Sequence, residues 1–357
     1  MRKVLLVTGL AVLAALALAY LFRSDLALRA MDRALARTMA GDAIAALPDG
    51  LHLAVCGAGG PLPSLDRSGA CLAVVAGRRL FIVDAGTNGA RNLQRMGLPA
   101  ARAEAVLLTH FHSDHIDGLG ELLMLHWTGG AAQSPMPVYG PSGVQQVVAG
   151  FNAAYALDSG YRTAHHGPSV APPAGAGGVA RTFATPQPGQ PVTIIEGGGV
   201  RVQAFKVDHD PARPAVGYRF DYAGRSLVIS GDTKKIQETE EISRNVDLLV
   251  HEALSADLVG LMNRNAAAAG LANVAKITHD ILDYHTTPVE AAEIAAAAGV
   301  GHLLLYHIVP PLPLPGLDQA FLAGVADAYQ GPVTLSRDGT FVSMPAGTTE
   351  MLESQRL

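Results

Sequence analysis

The run His110-Phe111-His112-Ser113-Asp114-His115 places three imidazoles and a carboxylate within six residues. Imidazole nitrogen and carboxylate oxygen suit zinc, and also iron or manganese, and at this spacing they can serve two adjacent cations. An exposed polar loop can gather histidines by accident. This cluster, however, follows the apolar stretch Ala105 to Thr109 and precedes a helix start at Asp117-Gly118-Leu119. It therefore occupies a strand-end loop, where a rigid scaffold holds functional groups best. Among the chemistry such a site can carry is hydrolysis by a metal-activated water.

The elements that must hold this loop can be read from apolar runs and turn signals. Leu51 to Cys56, Ala70 to Val75, Arg79 to Asp84 and Ala105 to Thr109 read as strands, with the glycine-rich Gly57-Ala58-Gly59-Gly60-Pro61 between the first two. Strands resume at Val200 to Val207, Ala215 to Tyr222, Ser226 to Gly231, Asp247 to His251 and His302 to Tyr306. Asp117 to Leu125 and Pro141 to Leu157 read as helices, and His165 to Gly178, rich in proline, glycine and alanine, as a flexible surface loop. Thr287-Pro288-Val289-Glu290 opens a helix to Ala298 with an N-cap, a proline at the first position and a capping-box glutamate. The pattern is that of one α/β domain.

The chain has 357 residues, 49% of them hydrophobic, and a net charge of −5. That is ample for a core and gives no global attraction to nucleic acid, so no nucleic-acid partner is expected. Arg2 and Lys3 precede an apolar run from Val4 to Phe22 that is long enough to span a bilayer as a helix. Ala17-Leu18-Ala19 also offers a small-x-small cleavage pattern. An uncleaved anchor is favoured over a signal peptide, because the run continues past that point. Either reading makes the protein membrane-anchored or exported, periplasmic or extracytoplasmic, through residues 4–22. Arg29, Arg33 and Arg37 form one stripe on a following helix, either against lipid headgroups or on the solvated face of a stalk. Cys56 and Cys71 sit on neighbouring strands; two buried free thiols are favoured over a disulfide.

The histidine–aspartate motif resembles that of the metallo-β-lactamase superfamily, and the likeness extends from about Leu51 to Met344. It implies an αββα sandwich of two mixed sheets. Asp84, in Ile82-Val83-Asp84-Ala85-Gly86, resembles the family's aspartate that orients a ligand histidine. His209 in Val207-Asp208-His209, Asp232 in Ser230-Gly231-Asp232-Thr233 and His307 in Leu305-Tyr306-His307 resemble the remaining ligands. The implied assignment is His110, His112 and His209 on one metal, Asp114, His115 and His307 on the other, and Asp232 shared. The cofactor is two divalent ions, zinc first. Redox di-iron members usually carry glutamate where this chain has His112, which favours hydrolysis over electron transfer.

Further motifs resemble the ribonuclease Z-like branch. They are Gly57 to Pro61 with Asp66-Arg67-Ser68, Val250-His251-Glu252-Ala253, and Tyr284-His285-Thr286-Thr287-Pro288. The resemblance implies that His285 assists the leaving group and Glu252 supports it, so the catalytic set is Asp114, Glu252 and His285. His285 also precedes a helix start whose free N–H groups favour an anionic substrate group. Ribonuclease Z proper carries a long arm that clamps transfer RNA between the equivalents of His209 and Asp232; here only Asp210 to Gly231 intervenes, enough for a hairpin. The short spacing and Gly140-Pro141-Ser142-Gly143 resemble the exported arylsulfatase-like members more. The expected reaction is attack of a metal-bridging hydroxide on a small-molecule phosphate or sulfate ester. Ribonuclease Z-type cleavage and lactone or β-lactam hydrolysis are the alternatives, with a non-enzymatic binding module last. A homodimer stays open. The expected divisions are 1–23 for the anchor or signal peptide, 24–47 for a helical stalk, 48–346 for the hydrolase domain and 347–357 for a tail.

Overall fold

The computed structural model describes residues 8, 9, 13, 16 and 18–357. The chain divides into two compact units, Met1–Ala46 and Leu47–Leu357. In the first, α1 (Arg23–Ala40) has Asp25 in its first turn, and the Asp42 carboxylate accepts from the N–H groups of Ile44 and Ala45 just beyond it. Among the described residues no helix is long and apolar enough to cross a membrane. The charges at Arg23, Asp25, Arg29, Asp32 and Arg33 rule α1 out. The apolar run 4–22 lies for the most part outside the described residues.

The second unit lays down β1 (Gly50–Gly57), β2 (Cys71–Ala76), β3 (Arg79–Val83), β4 (Ala103–Leu107), β5 (Met136–Gly140), β6 (Gly178–Thr182) and β7 (Val192–Gly197). It continues with β8 (Val200–Lys206), β9 (Val216–Tyr222), β10 (Arg225–Ile229), β11 (Leu248–Leu254), β12 (His302–Val309), β13 (Val333–Leu335), β14 (Thr340–Pro345) and β15 (Leu352–Gln355). One sheet has the order β15-β14-β1-β2-β3-β4-β5-β6 and the other β13-β12-β11-β10-β9-β8-β7. Each is antiparallel on one side and parallel on the other, with β3 to β6 and β10 to β13 forming the parallel parts.

The helices are α2 (Gly89–Arg95), α3 (Ser113–Ile116), α4 (Leu119–Gly130), α5 (Val144–His166), α6 (Gln237–Ile242), α7 (Ala256–Ala268), α8 (Ala272–Asp280), α9 (Pro288–Ala298), α10 (Leu317–Phe321) and α11 (Val325–Ala328). Alternate residues on the inner faces, such as Leu51, Leu53 and Val55 of β1 with Val216, Tyr218 and Phe220 of β9, meet in one core between the sheets. At ~1.5–3 kcal/mol for each large apolar side chain buried, this layer is the main stabilising term. The outer face of the second sheet (Leu249, Leu303, Leu305) is covered by the small face of α9, Ala291, Ala292, Ala295 and Ala298. Strands buried on both faces read as mainly apolar runs, as residues 248–250 of β11 and 303–306 of β12 do before the site residues Glu252 and His307 interrupt them. The architecture is the expected αββα sandwich of two mixed sheets.

Several details differ from the sequence reading. Helix α5 runs on through His166, and the segment after it is packed rather than flexible. Thr163 donates its hydroxyl to the Ala171 carbonyl and the buried Trp127 indole N–H to that of Pro172. Cys56 and Cys71 form a disulfide instead of two free thiols; the β1–β2 register sets them side by side with Cα atoms 5.0 Å apart. Residues 352–355, read as a tail, pair with β14 as an edge strand. Between His209 and Asp232 the chain makes only the β9–β10 hairpin, whose tip residues Ala223 and Gly224 both have positive φ, as a two-residue turn requires.

Candidate metal centre

The ends of β4, β8, β10, β11 and β12 converge on one edge of the sandwich, the crevice where open α/β sheets hold their ligands. The loop after β4 supplies His110 and His112, and α3 supplies Asp114 and His115. His209 follows β8, Asp232 follows β10, Glu252 lies in β11 and His307 in β12. His285 stands before α9. Every residue picked out from the sequence for this site is therefore brought to it.

His112 Nδ1 lies 3.0 Å from His110 Nε2 and 3.2 Å from His209 Nε2. His307 Nε2 lies 3.1 Å from Asp114 Oδ2. Asp232 Oδ2 sits between the two groups, 3.3 Å from the Nε2 atoms of His115 and His307 and 3.8 Å from those of His110 and His209. Among the described residues three overlapping groups could each hold a metal ion: His110, His112, His209 and Asp232; Asp114, His115 and His307; and Asp232, His285 and His307. The buried atoms His115 Nε2 and Asp232 Oδ1 have no hydrogen-bond partner among the described residues. Lone pairs crowded this way, with buried acceptors unmatched by donors, fit divalent cations.

The ring orientations are set by partners outside the ligand sets. His115 donates from Nδ1 to Asp84 Oδ2 at 2.8 Å, and the Thr109 N–H and hydroxyl both donate to the same carboxylate at 2.8 Å. With its hydroxyl proton committed to Asp84, Thr109 Oγ1 accepts from His110 Nδ1 at 3.1 Å. His209 donates from Nδ1 to the Tyr284 carbonyl at 3.0 Å. Each contact leaves Nε2 bare and facing inward. Asp84 and His307 hold φ of 58° and 49°, the left-handed region that non-glycine residues rarely enter, and both lie in the site. Gly60 lets its loop close on His307: a Cβ there would lie 2.9 Å from the ring.

Charge follows geometry. Burial lowers the His110 imidazole well below its usual pKa, and burial also lowers those of His112 and His209. Burial works the same way on His115 and His307, but the carboxylates win: Asp232, Asp84 and Asp114 raise the first well above its usual value, and Asp232 and Asp114 raise the second. Burial would raise Asp114, yet His115 and His307 bring it down to about 2. The pocket is built around positive charge.

Beside the ligand sets, the fully buried Glu252 accepts at Oε1 from His285 Nδ1 at 3.0 Å, Thr286 N at 3.1 Å and Thr233 N at 3.2 Å. A ring nitrogen of His285 lies within 4.8 Å of the ligand atoms of Asp232 and His307. The N–H groups at the start of α9 prove less available than expected. Thr287 N donates to Glu290 and Glu290 N to Thr287, while Thr286 N is taken by Glu252. The sequence does not announce the roles of Thr109 and the Tyr284 carbonyl, and Thr109 is signalled only by directly preceding His110; Gly60 stands in the Gly57-to-Pro61 motif, without a sign of its contact with His307.

A family model described as a β-lactamase superfamily domain matches residues 79–308. A ribonuclease Z of Mycobacterium bovis (strain BCG / Pasteur 1173P2) is 34% identical over 298 residues, covering 81% of this chain and 96% of the relative. The chain belongs to the β-lactamase superfamily, in its ribonuclease Z-like branch. A ribonuclease Z of Mycobacterium avium (strain 104) is 33% identical over 290 residues, covering 81% of this chain and 96% of the relative. Among solved structures, the short form of human tRNase Z superposes with a TM-score of 0.59 at 21% identity, over 82% of this chain and 99% of that one. The metallo-β-lactamase fold protein YhfI from Bacillus subtilis superposes with 0.56 at 22% identity, over 82% and 99%. These two speak for the fold. The chain is thus a metallo-β-lactamase-fold hydrolase of a metal-dependent family. The relatives carry the name of the reading placed second from sequence, ribonuclease Z, and not of an arylsulfatase. That kinship corrects the expected anchoring or export through residues 4–22, a run that lies for the most part outside the described residues. It also runs against the expectation of no nucleic-acid partner.

Proposed function

We propose that the protein hydrolyses phosphodiester bonds with two divalent cations, zinc by the nitrogen-rich donor set, and that RNA is a substrate class. His110, His112 and His209 would hold one cation, Asp114, His115 and His307 the other, and Asp232 both. Cations bound there supply Lewis acidity that lowers the pKa of water and neutralises charge on the phosphoryl oxygens. The chain's own groups do the rest. Asp84, Thr109 and the Tyr284 carbonyl fix the ligand tautomers. His285 holds a proton for the leaving oxygen as its bond to phosphorus breaks, and Glu252 stabilises the imidazolium that gives it up.

The observation that carries this reading is the His285–Glu252 contact at 3.0 Å, set directly against both ligand groups. A binding module would have no use for an acid and its supporting carboxylate. Kinship with proteins named ribonuclease Z favours phosphorus over sulfur and over a carbonyl. The test is a panel on zinc-loaded protein: bis(p-nitrophenyl) phosphate, p-nitrophenyl phosphate, p-nitrophenyl sulfate and a short RNA with a 3′ extension. The diester and the RNA should turn over, with the monoester and sulfate about 100-fold slower, and chelation should abolish activity. Fastest turnover of the sulfate, or activity that survives chelation, would sink the proposal.

A further inference from the structure

A cavity of about 550 Å³ adjoins the metal centre on the side of His209. Its apolar wall is Val207, Ala212, Pro214, Ala215 and Ile236. Ser142 and Thr185 bring hydroxyl groups. The charges around it nearly balance. Lys206 and Arg213 face Asp208 and Glu238, and Arg213 is tied to Asp210 at 2.6 Å. A second phosphate entering here would meet the carboxylates of Asp208 and Glu238 as well as Lys206 and the Asp210-paired Arg213, so the lining offers it no net attraction, whereas an uncharged planar group would meet aliphatic side chains and two hydroxyls. The volume is that of pockets that enclose a small organic molecule. Neither His285 nor Tyr284 lines this cavity. The oxygen that His285 protonates therefore belongs to the other arm of the ester.

We propose that this cavity is the subsite for the retained arm of a phosphodiester, and that this arm carries an uncharged ring system, a nucleobase or an aryl group. The inference rests on the phosphodiester reading above. Ile236 and Ala212 set how large the ring can be, and the Ser142 and Thr185 hydroxyls meet its polar edge.

The test uses zinc-loaded full-length protein and three diesters that share p-nitrophenolate as leaving group but retain a methyl, a phenyl or a thymidine 5′ arm. The ring-bearing esters should exceed the methyl ester in kcat/KM by about tenfold, as burial of part of one ring predicts. Ile236→Trp, which intrudes on the apolar wall where the ring would lie, should bring that ratio close to one. Ala212→Leu serves the same purpose should the first variant not fold. Preference for thymidine over phenyl assigns the subsite to a nucleobase, and the reverse to an aryl group. A wild-type ratio of one, or an unchanged ratio in a folded variant, overturns the proposal. If none of the three esters is cleaved, the phosphodiester reading is lost on its own. The subsite is then decided by equilibrium binding of phenyl phosphate against methyl phosphate, where equal affinities overturn it.

Discussion

A ligand histidine must present one nitrogen without a proton, and here that choice is made by neighbours that never touch the metal. His115 gives its Nδ1 proton to Asp84, His209 to the Tyr284 carbonyl and His110 to Thr109. His285 follows the same logic for a different end: Nδ1 donates to Glu252, which leaves Nε2 to carry the proton that the leaving group takes. His285→Ala should therefore retain its zinc, since the two principal ligand sets stay whole, while turnover falls in proportion to leaving-group basicity. Diesters with alkoxide leaving groups should lose about 10²–10³-fold in kcat, and nitrophenolate diesters less than about tenfold. A plot of log kcat against leaving-group pKa, steeper in the variant, checks this. Parallel plots would mean that His285 positions substrate and donates nothing. Of the candidate site residues, His110, His112, Asp114 and His115 were legible from the tight spacing of imidazoles and a carboxylate, whereas His209, Asp232, Glu252, His285 and His307, scattered along the chain, were picked out only by resemblance to the family's motifs. The carbonyl of Tyr284 was legible in neither way, because any residue type supplies one.

At the scale of elements, His285 owes its place to how α9 begins. Thr287 accepts from Glu290 N while Glu290 accepts from Thr287 N, so the start of the helix is clamped two residues from the imidazole. Thr287→Ala should cost about 1 kcal/mol and lower Tm by about 2 °C in a unit of this size. Because Thr286 shares Glu252 with His285, kcat should fall as well while bound zinc stays unchanged. Loss of stability with no change in kcat would show that Glu252 alone holds His285. This helix was readable from residues 287–298, since cap, proline and glutamate are local signals. The doubly buried β11 and β12 were readable as mainly apolar runs. β5, β6 and β7 were not, because their exposure is mixed and β6 has no strict alternation. The pair α7 and α8 keeps several apolar side chains exposed, among them Leu261, Leu271 and Ile277, which blurs the helical stripe that would have announced it. The disulfide depended on the register of β1 with β2, a long-range fact that two cysteines in a sequence do not contain.

For the whole molecule, the proposed RNA substrate raises the problem of how an acidic chain with only a hairpin between His209 and Asp232 would hold a polyanion. The net charge is −5, and the stretch between His209 and Asp232 holds only a hairpin with a two-residue tip. At the rim of the His209-side cavity, Arg213 is already paired with Asp210, and Lys206 stands nearby. On the other side of the Asp210–Arg213 turn, Asp210, Asp280 and Asp283 line the surface beside Tyr284; with Asp210 paired to Arg213 and Asp280 to Lys276, the patch keeps a net negative charge and does not attract a continuing phosphate chain. RNA should then be gripped at the scissile phosphate and about one neighbour, so log kcat/KM against log salt should fall with a slope of about −1.4. On this reading the folded body of a transfer-RNA precursor adds no contact beyond those at the site. It should be cleaved within about threefold of a short single strand that ends in the same 3′ sequence, because affinity for a polyanion scales with the phosphates contacted. The two substrates, run side by side across a salt series, decide the matter. A slope steeper than about −4, or a hundredfold preference for the precursor, would mean that an extended basic surface contacts the RNA body after all.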